Sequence, residues 1–300
     1  MKKLYLILPI MAGLMFGSSG VFVRTLTQNG IDSMTLLFLR FSIAIIPILI
    51  AILLTDKKLL KIDLRDIPLF LVCAMCIVGL NLCYNESMNS IPLSLAATLL
   101  SIAPIFVLIF AYVLFREKIT KRKLVCMVLA ILGCVLMTGV LEISIAQISL
   151  WGILLGIGAG LFWAVYLMAS KKSIECGNHT FTILFYSIIL ISIALIPFTD
   201  FVQISSFVNI NPTLAILFLI IHSTFSFALP YIFSTISLKY MDSGVSSILL
   251  SGAEPFAALM FGLAIYSEIP TPLMFCGFVL TIIAMMMLST NNDLKMLLRS

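Results

Sequence analysis

Apolar runs of about twenty residues, separated by short polar punctuation, divide the chain into ten segments, which is the length a helix needs to cross a bilayer. Their approximate limits are 4–26, 33–54, 67–88, 92–114, 122–141, 150–170, 180–198, 212–238, 244–266 and 270–290. Start signals frame several of them. Asp32-Ser33, Asn178-His179-Thr180, Asn211-Pro212 and Asp242-Ser243 stand where an N-cap belongs. Pro68, Pro92, Pro212 and Pro272 fall in first turns, where a missing N–H costs little. The runs are continuous and unalternating, about twice the length of a barrel strand, so helices rather than a transmembrane barrel are expected. The longest polar connection, 199–211, reads as a loop.

Composition sharpens the picture. Hydrophobic residues make up 62% of the chain, charged residues 10%, and the mean hydropathy is +1.20. A soluble domain carries about 25% charged residues to face water. Lipid is therefore the expected environment. The Lys2-Lys3 start followed by an apolar run mimics a signal peptide, with a weak cleavage site at Gly17-Ser18-Ser19-Gly20. That reading is set aside because the segment has a counterpart in the second half.

Charge then sets an orientation. With ten spans and a cytoplasmic N-terminus, 16 of the 18 basic residues, from Lys2 and Lys3 to Lys295 and Arg299, fall on the cytoplasmic side. Only Arg24 and Arg40 fall toward the other side. Both termini are thus expected in the cytoplasm of a multi-pass plasma-membrane protein. The net charge of +5 reads as a topology signal, and no nucleic-acid partner is expected.

The two halves repeat. Ala12-Gly13-Leu14-Met15-Phe16-Gly17 matches Ala159-Gly160-Leu161-Phe162-Trp163-Ala164, and Thr35-Leu36-Leu37-Phe38 matches Thr182-Ile183-Leu184-Phe185, both at a shift of 147. Pro104 and Glu117 match Pro255 and Glu268 at a shift of 151. Five helices per repeat place the second copy upside down, a construction of secondary transporters. The expected fold is all-α and integral to the membrane, with ten transmembrane helices in two inverted five-helix repeats, 1–141 and 150–290, and a short cytoplasmic tail, 291–300.

Ordered motifs in both halves carry a family resemblance. They are Phe16-Gly17-Ser18, Leu39-Arg40-Phe41 with Ala44, Ala96-Ala97 with Leu99, Pro104 and Glu117, and Glu254-Pro255 with Glu268. Gly133 and Gly277 follow the two glutamates. The chain resembles the drug/metabolite transporter superfamily in its ten-helix EamA-type branch. It departs from that pattern at Phe16, where tryptophan is usual, and at Ala284, where a second glycine is common. The resemblance implies export or exchange of metabolites, amino acids or drugs.

Polar groups inside the spans are the candidates for chemistry. Glu254 sits about ten residues into the ninth span, where a charge costs roughly 2.5 kcal/mol or more. It can load and release a proton or bind a substrate amine; a neutral, hydrogen-bonded packing carboxyl is the alternative. Arg40 can pair with Glu86 or hold a substrate carboxylate. Snorkelling to the outer interface is the favoured reading at its depth. Asn81, Tyr84, Trp163, Tyr166, His222, Tyr231 and Ser251 complete the substrate and coupling candidates. They belong to a polar cavity or, alternatively, to interhelical glue worth about 0.6 kcal/mol per bond. His222 is a second proton-shuttle candidate, with packing as the favoured reading. Pro104 and Pro255 read as a symmetric pair of hinges, since each frees a carbonyl four residues earlier, at Leu100 and Ser251. Glu117 and Glu268 read as structural, each reaching the N-terminal donors of the following helix. The G-x-x-x-G spacings Gly13/Gly17 and Gly152/Gly156/Gly160 read as close packing within one chain, so a monomer is expected.

Several chemistries find no support. There is no G-x-x-x-x-G-K-[ST] phosphate loop, no metal-ligand cluster, no cofactor motif and no nucleophile–base set. Cys73-x-x-Cys76 reads as two small core residues. The Asn178-His179-Thr180 sequon falls on the cytoplasmic side and reads as chance. The sequence therefore predicts a non-enzymatic secondary transporter of a small molecule, with protons as the candidate coupling ion. A membrane-embedded enzyme lacks a catalytic set, and a sensor or scaffold lacks an attached domain.

Overall fold

The computed structural model describes residues 4–91, 93–138, 149–266 and 271–289. Glu268, Pro92, the terminal basic residues and the predicted tail 291–300 lie outside the described residues. The described chain is helical throughout, without a strand. In order the helices are α1 (Ile7–Gly17), α2 (Ser19–Gln28), α3 (Ser33–Thr55), α4 (Ile67–Ser90), α5 (Leu93–Leu100), α6 (Ala103–Phe115) and α7 (Lys121–Met137). The second half holds α8 (Leu150–Glu175), α9 (Thr180–Leu195), α10 (Phe201–Ile210), α11 (Pro212–Ser223), α12 (Leu229–Tyr240), α13 (Ser243–Tyr266) and α14 (Pro272–Ser289).

Among the described residues, eight stretches are long and apolar enough to cross a membrane. Four of them, Ile7–Gln28, Ser33–Thr55, Leu64–Ser90 and Leu95–Phe115, lie in the first half. The others are Leu150–Glu175, Thr180–Phe198, Pro212–Tyr240 and Ser243–Ile265. The shorter helices α7 and α14 pack against each other, and α14 is apolar. Large apolar side chains cover the outside; Leu54 is 83% exposed, Val113 66% and Leu214 62%. A water-facing surface would not carry so continuous an apolar coat.

The local signals fix the helix ends. Asp32 caps α3, accepting from the Met34 and Thr35 amides at 2.8 and 3.0 Å. His179 caps α9 and Asn211 caps α11. Pro68 and Pro212 occupy first turns, and α14 opens on Pro272. Thr120 caps α7 by accepting from the Lys123 amide at 3.2 Å.

Three predicted spans are not single regular helices. The first breaks at Ser18 between α1 and α2, and the fourth at Ser101-Ile102 between α5 and α6. The eighth contains a π-helical turn, Thr224–Ala228, between α11 and α12. The predicted loop at 199–211 is also corrected: it folds into α10. Asp200 caps that helix, and Phe207 packs inward while Phe201 and Val202 stay exposed. Its N-terminus is tied to α3, where Thr35 Oγ1 accepts from the Asp200 amide at 2.9 Å and Gln203 Oε1 accepts from the Asp32 amide at 2.9 Å.

Close helix contacts assemble the bundle. α1 lies on α13 and α12, α8 on α4 and α6, and α3 on α9. A Cβ at Gly13 would stand 2.7 Å from the Ala253 Cβ, and one at Gly17 would stand 2.6 Å from the Ala257 Cβ. Only glycine permits α1 this close to α13.

Many of the described basic residues gather at one end. Lys57–Leu60 packs near the start of α9, with Thr182 Oγ1 donating to the Leu59 carbonyl at 2.8 Å and Tyr186 OH to the Leu60 carbonyl at 2.6 Å. A hollow of about 620 Å3 at the ends of α6, α8 and α12 is lined by Arg116, Lys118, Lys123, Lys171 and Lys239.

Candidate functional site

The irregular backbone converges on one cavity. In lipid, a break in helical bonding is tolerated where it is buried in protein or lines a hollow. Phe16 lies two residues before the Ser18 break, Ser101 and Ala103 flank the α5–α6 break, and Tyr231 follows the π-helical turn. All of them line a cavity of about 60 Å3 together with Trp163, Ser251 and Glu254. Ser18 Oγ donates to the Met15 carbonyl at 2.6 Å and shares a 3.1 Å hydrogen bond with Ser226 Oγ, which ties the first break to the π turn. Ser101 Oγ donates to the Ala97 carbonyl at 3.0 Å, alongside the Ser101 amide, so this hydroxyl is tied to its own helix.

Glu254 occupies the middle of the Ser243–Ile265 span. It is half-buried, and no hydrogen bond to its carboxyl is found among the described residues. Tyr84 and Tyr231 lie within electrostatic reach of it. A packing carboxyl would be expected to have a hydrogen-bond partner, because an unsatisfied polar group in an apolar interior costs free energy. Here the carboxyl opens onto the hollow instead.

A second polar cluster joins α3, α4 and α11. Arg40 Nε donates to His222 Nε2 at 3.3 Å, and Arg40 Nη1 donates to Asn81 Oδ1 at 3.3 Å. Asn81 Nδ2 in turn donates to the Ile77 carbonyl at 2.8 Å. His222 is fully buried and stacks on Phe22 at 5.2 Å. Because its Nε2 accepts, the ring proton belongs on Nδ1, which has no hydrogen-bond partner among the described residues. The predicted snorkelling of Arg40 is corrected: two acceptors on neighbouring helices draw the guanidinium inward. Glu86 is not its partner. It is exposed near the end of α4, where its carboxylate accepts from Asn89 at 3.3 Å. Tyr231 lies within electrostatic reach of both Arg40 and Glu254, so it stands between the two clusters.

The remaining candidates separate into support and ends. Tyr166 is buried behind the cavity, stacked on Trp163 at 5.4 Å and hydrogen-bonded to Thr235 at 2.8 Å. The hydroxyls of the eighth span do not all face a cavity. Ser234 and Ser237 donate to the carbonyls of Tyr231 and Ser234 within their own helix, at 3.0 and 2.6 Å. Cys73 and Cys76 are buried free thiols, and Cys73 Sγ lies 3.7 Å from Ser170 Oγ. Among the described residues no group of three His, Cys, Asp or Glu could hold a metal ion.

The two prolines are not equivalent. Pro104 stands in the first turn of α6, directly after the Ser101-Ile102 break of its span, where it frees the Leu100 carbonyl. Pro255 stands inside the continuous helix α13. The Ser251 carbonyl freed by Pro255 accepts from Cys134 Sγ at 3.4 Å, a partner that sequence reasoning missed.

Glu117 corrects another expectation. It does not reach the start of α7. Its Oε1 accepts from the Ser243 amide at 3.0 Å and the Ser243 hydroxyl at 2.9 Å, and it pairs with Lys171 Nζ at 2.5 Å. Burial pushes this carboxyl up, but the Lys171 charge and the two Ser243 donors outweigh it and hold the group below its ordinary 4.5. Lys123 Nζ pairs with Asp242 Oδ2 at 2.5 Å beside it. These contacts join the α6–α7 connection to the ends of α8 and α12 and to the start of α13.

Comparison with known proteins agrees with this architecture. A stretch of 217 residues is 33% identical to an uncharacterized transporter of Archaeoglobus fulgidus, covering 71% of this chain and 72% of that one. Over 200 residues the chain is 26% identical to the threonine/homoserine exporter RhtA of Escherichia coli, covering 65% of this chain and 62% of RhtA. The uncharacterized transporter YxxF of Bacillus subtilis is 24% identical over 291 residues, covering 94% and 90% of the two chains. A solved crystal structure, 15% identical, shares the fold with a TM-score of 0.76 over 94% of this chain and 95% of its own. The sequence pattern of the EamA-like transporter family matches residues 3–139 and again 150–290. The chain is therefore a membrane transporter of the EamA-like family, within the drug/metabolite transporter superfamily.

Proposed function

We propose that this protein is a secondary transporter that exports or exchanges small metabolites, amino acids or drugs among them, by alternating access. Its ten spans form two inverted five-helix repeats, 1–141 and 150–290, acting as a monomer in the plasma membrane with both termini cytoplasmic. The observation that carries the reading is Glu254, a carboxyl at the middle of a membrane span that opens onto a cavity with no hydrogen-bond partner among the described residues. Such a group has a proton or a substrate to bind.

Several features support the repeat. The family pattern matches each half separately. The contacts of α1 with α13 and α12 mirror those of α8 with α6 and α4 when the halves are exchanged. The gathering of basic residues at one end supports the cytoplasmic assignment of that end. In this mechanism Glu254 holds a proton in one half of the cycle and releases it as substrate binds. Arg40, His222 and Asn81 form a buried polar cluster toward the outer side, and Pro255 marks the point where α13 bends as the repeats rock. The name of RhtA favours export of amino acids as the first class to test.

Reconstitution into proteoliposomes tests this directly. Radiolabelled amino acids, nucleobases and cationic drugs are screened with and without an imposed pH gradient. At least one should move in a saturable, gradient-dependent way. A protein that moves none of them under either condition would contradict proton-linked export of these compounds.

A further inference from the structure

Phe16 on α1, Trp163 on α8 and Tyr231 on α12 form a corner of three mutually perpendicular rings. Their centroids are 5.7 Å apart for Phe16–Trp163 at 88°, 5.3 Å for Phe16–Tyr231 at 84°, and 5.7 Å for Trp163–Tyr231 at 84°. All three rings line the cavity into which Glu254 opens. We propose that this corner, with the Glu254 carboxylate as counter-charge, is a cation subsite that takes the ammonium end of the transported molecule. The inference rests on the transport reading and adds to it the charge and shape of the ligand.

The lining chemistry selects this class. A carboxylate draws a cation, but a hard metal ion needs six or more oxygen ligands, or several retained waters. The polar lining here is one carboxylate with the hydroxyls of Ser101, Ser251 and Tyr231, and Ser101 already donates to its own helix. Aromatic rings offer a metal little, whereas they attract an organic ammonium placed within about 6 Å of their centroids. The rings are close enough together for one group, seated against the corner, to meet all three. The cavity volume of about 60 Å3 leaves room for about four water-sized groups, which suits an ammonium head and a few carbons. An anion would meet a carboxylate with no positive charge in the lining.

The sequence contains two tryptophans, so Trp151→Phe leaves Trp163 as the sole indole reporter. The full chain in lipid nanodiscs is titrated with choline and with 3,3-dimethylbutan-1-ol, the same shape with carbon in place of the charged nitrogen. Choline should change Trp163 emission saturably, and the alcohol should not at the same concentration. Phe16→Leu should weaken choline binding by about two- to thirty-fold, the range of one cation–π contact. Phe16→Tyr restores a ring and should bind like the parent, which separates the ring's role from a folding defect. Glu254→Gln should abolish the discrimination between choline and the alcohol. Equal responses to the two compounds, or parental affinity in Phe16→Leu, would overturn the subsite. Metabolite exchange in proteoliposomes without choline discrimination overturns the subsite alone. Choline discrimination in a protein that exchanges nothing supports the subsite and removes the transport reading.

Discussion

Cys134 on α7 donates its thiol to the Ser251 carbonyl on α13 at 3.4 Å. Ser251 stands four residues before Pro255, so its carbonyl has lost the helical N–H it would otherwise accept from. The thiol replaces that donor in a place where water is scarce. The same serine lines the cavity, so the bend and the site share a residue.

This contact gives a double-mutant test. Cys134→Ala should lower stability by about 1 kcal/mol, the worth of a typical buried hydrogen bond. Pro255→Ala restores the backbone donor, so in that background Cys134→Ala should cost measurably less, with a coupling of about 0.5 kcal/mol or more. Thermal unfolding of the four proteins in detergent measures the cycle. Pro255→Ala should also slow exchange more than Pro104→Ala, because Pro255 stands inside the continuous helix α13, whereas the span of Pro104 is already divided before it. Equal slowing by both would restore the symmetric-hinge reading.

The Glu117 cluster predicts a pH dependence with a definite sign. Its carboxyl is held below the ordinary 4.5 in the folded protein, so the native state favours the charged form. The stabilisation is complete above the unfolded value and is lost as pH falls through the folded one. Glu117→Gln should therefore cost roughly 1.5–3 kcal/mol at pH 7, as loss of a charged hydrogen bond does. The gap between parent and variant should narrow below pH 4.5. Unfolding midpoints from pH 3 to 7 measure it, and a gap independent of pH would show that Glu117 acts by shape alone.

Orientation is open to chemical labelling. Single cysteines at Lys57 and Ser205, in a background lacking the seven native cysteines, should react with membrane-impermeant reagent from opposite sides. The motive is the collection of basic residues around Lys57 and the position of α10 at the other end of α3. Labelling of both positions from one side would contradict the expected topology.

Eight of the spans were legible because a membrane helix writes itself as an uninterrupted apolar run. The caps at Asp32, His179 and Asn211 were legible for the same local reason. The break at Ser18 was not, since no proline stands near it, whereas the break at Ser101-Ile102 lies between Pro104 and the Leu100 carbonyl that this proline frees. α10 carried a readable Asp200 cap and helical spacing of Ile204, Phe207 and Val208, but ten residues are too few to span and so passed for a loop.

Glu254, Ser251, Trp163 and Tyr231 were identified singly from their polarity or aromatic character, and the fold brings them to one cavity. The third ring, Phe16, carried only the family resemblance. Arg40 and His222 lie 182 positions apart, and nothing in either segment fixes the rotation that turns them together. Glu117 was recognised as structural, but its partners Lys171 and Ser243 come from the other half of the chain. Pairings of that kind are set by packing between helices, which periodicity does not encode.

The central claim is that Glu254 exchanges a proton in the transport cycle. Its direct test is pH-gradient-driven exchange in proteoliposomes by the parent protein, Glu254→Gln and Glu254→Ala, each also measured without the gradient. Glutamine keeps the shape and hydrogen bonding of the carboxyl but carries no titratable proton. The account predicts that Glu254→Gln folds like the parent and loses gradient-driven uptake, as Glu254→Ala does. Gradient-driven uptake at the parent rate in Glu254→Gln, with loss only in Glu254→Ala, would contradict it and assign the carboxyl to packing.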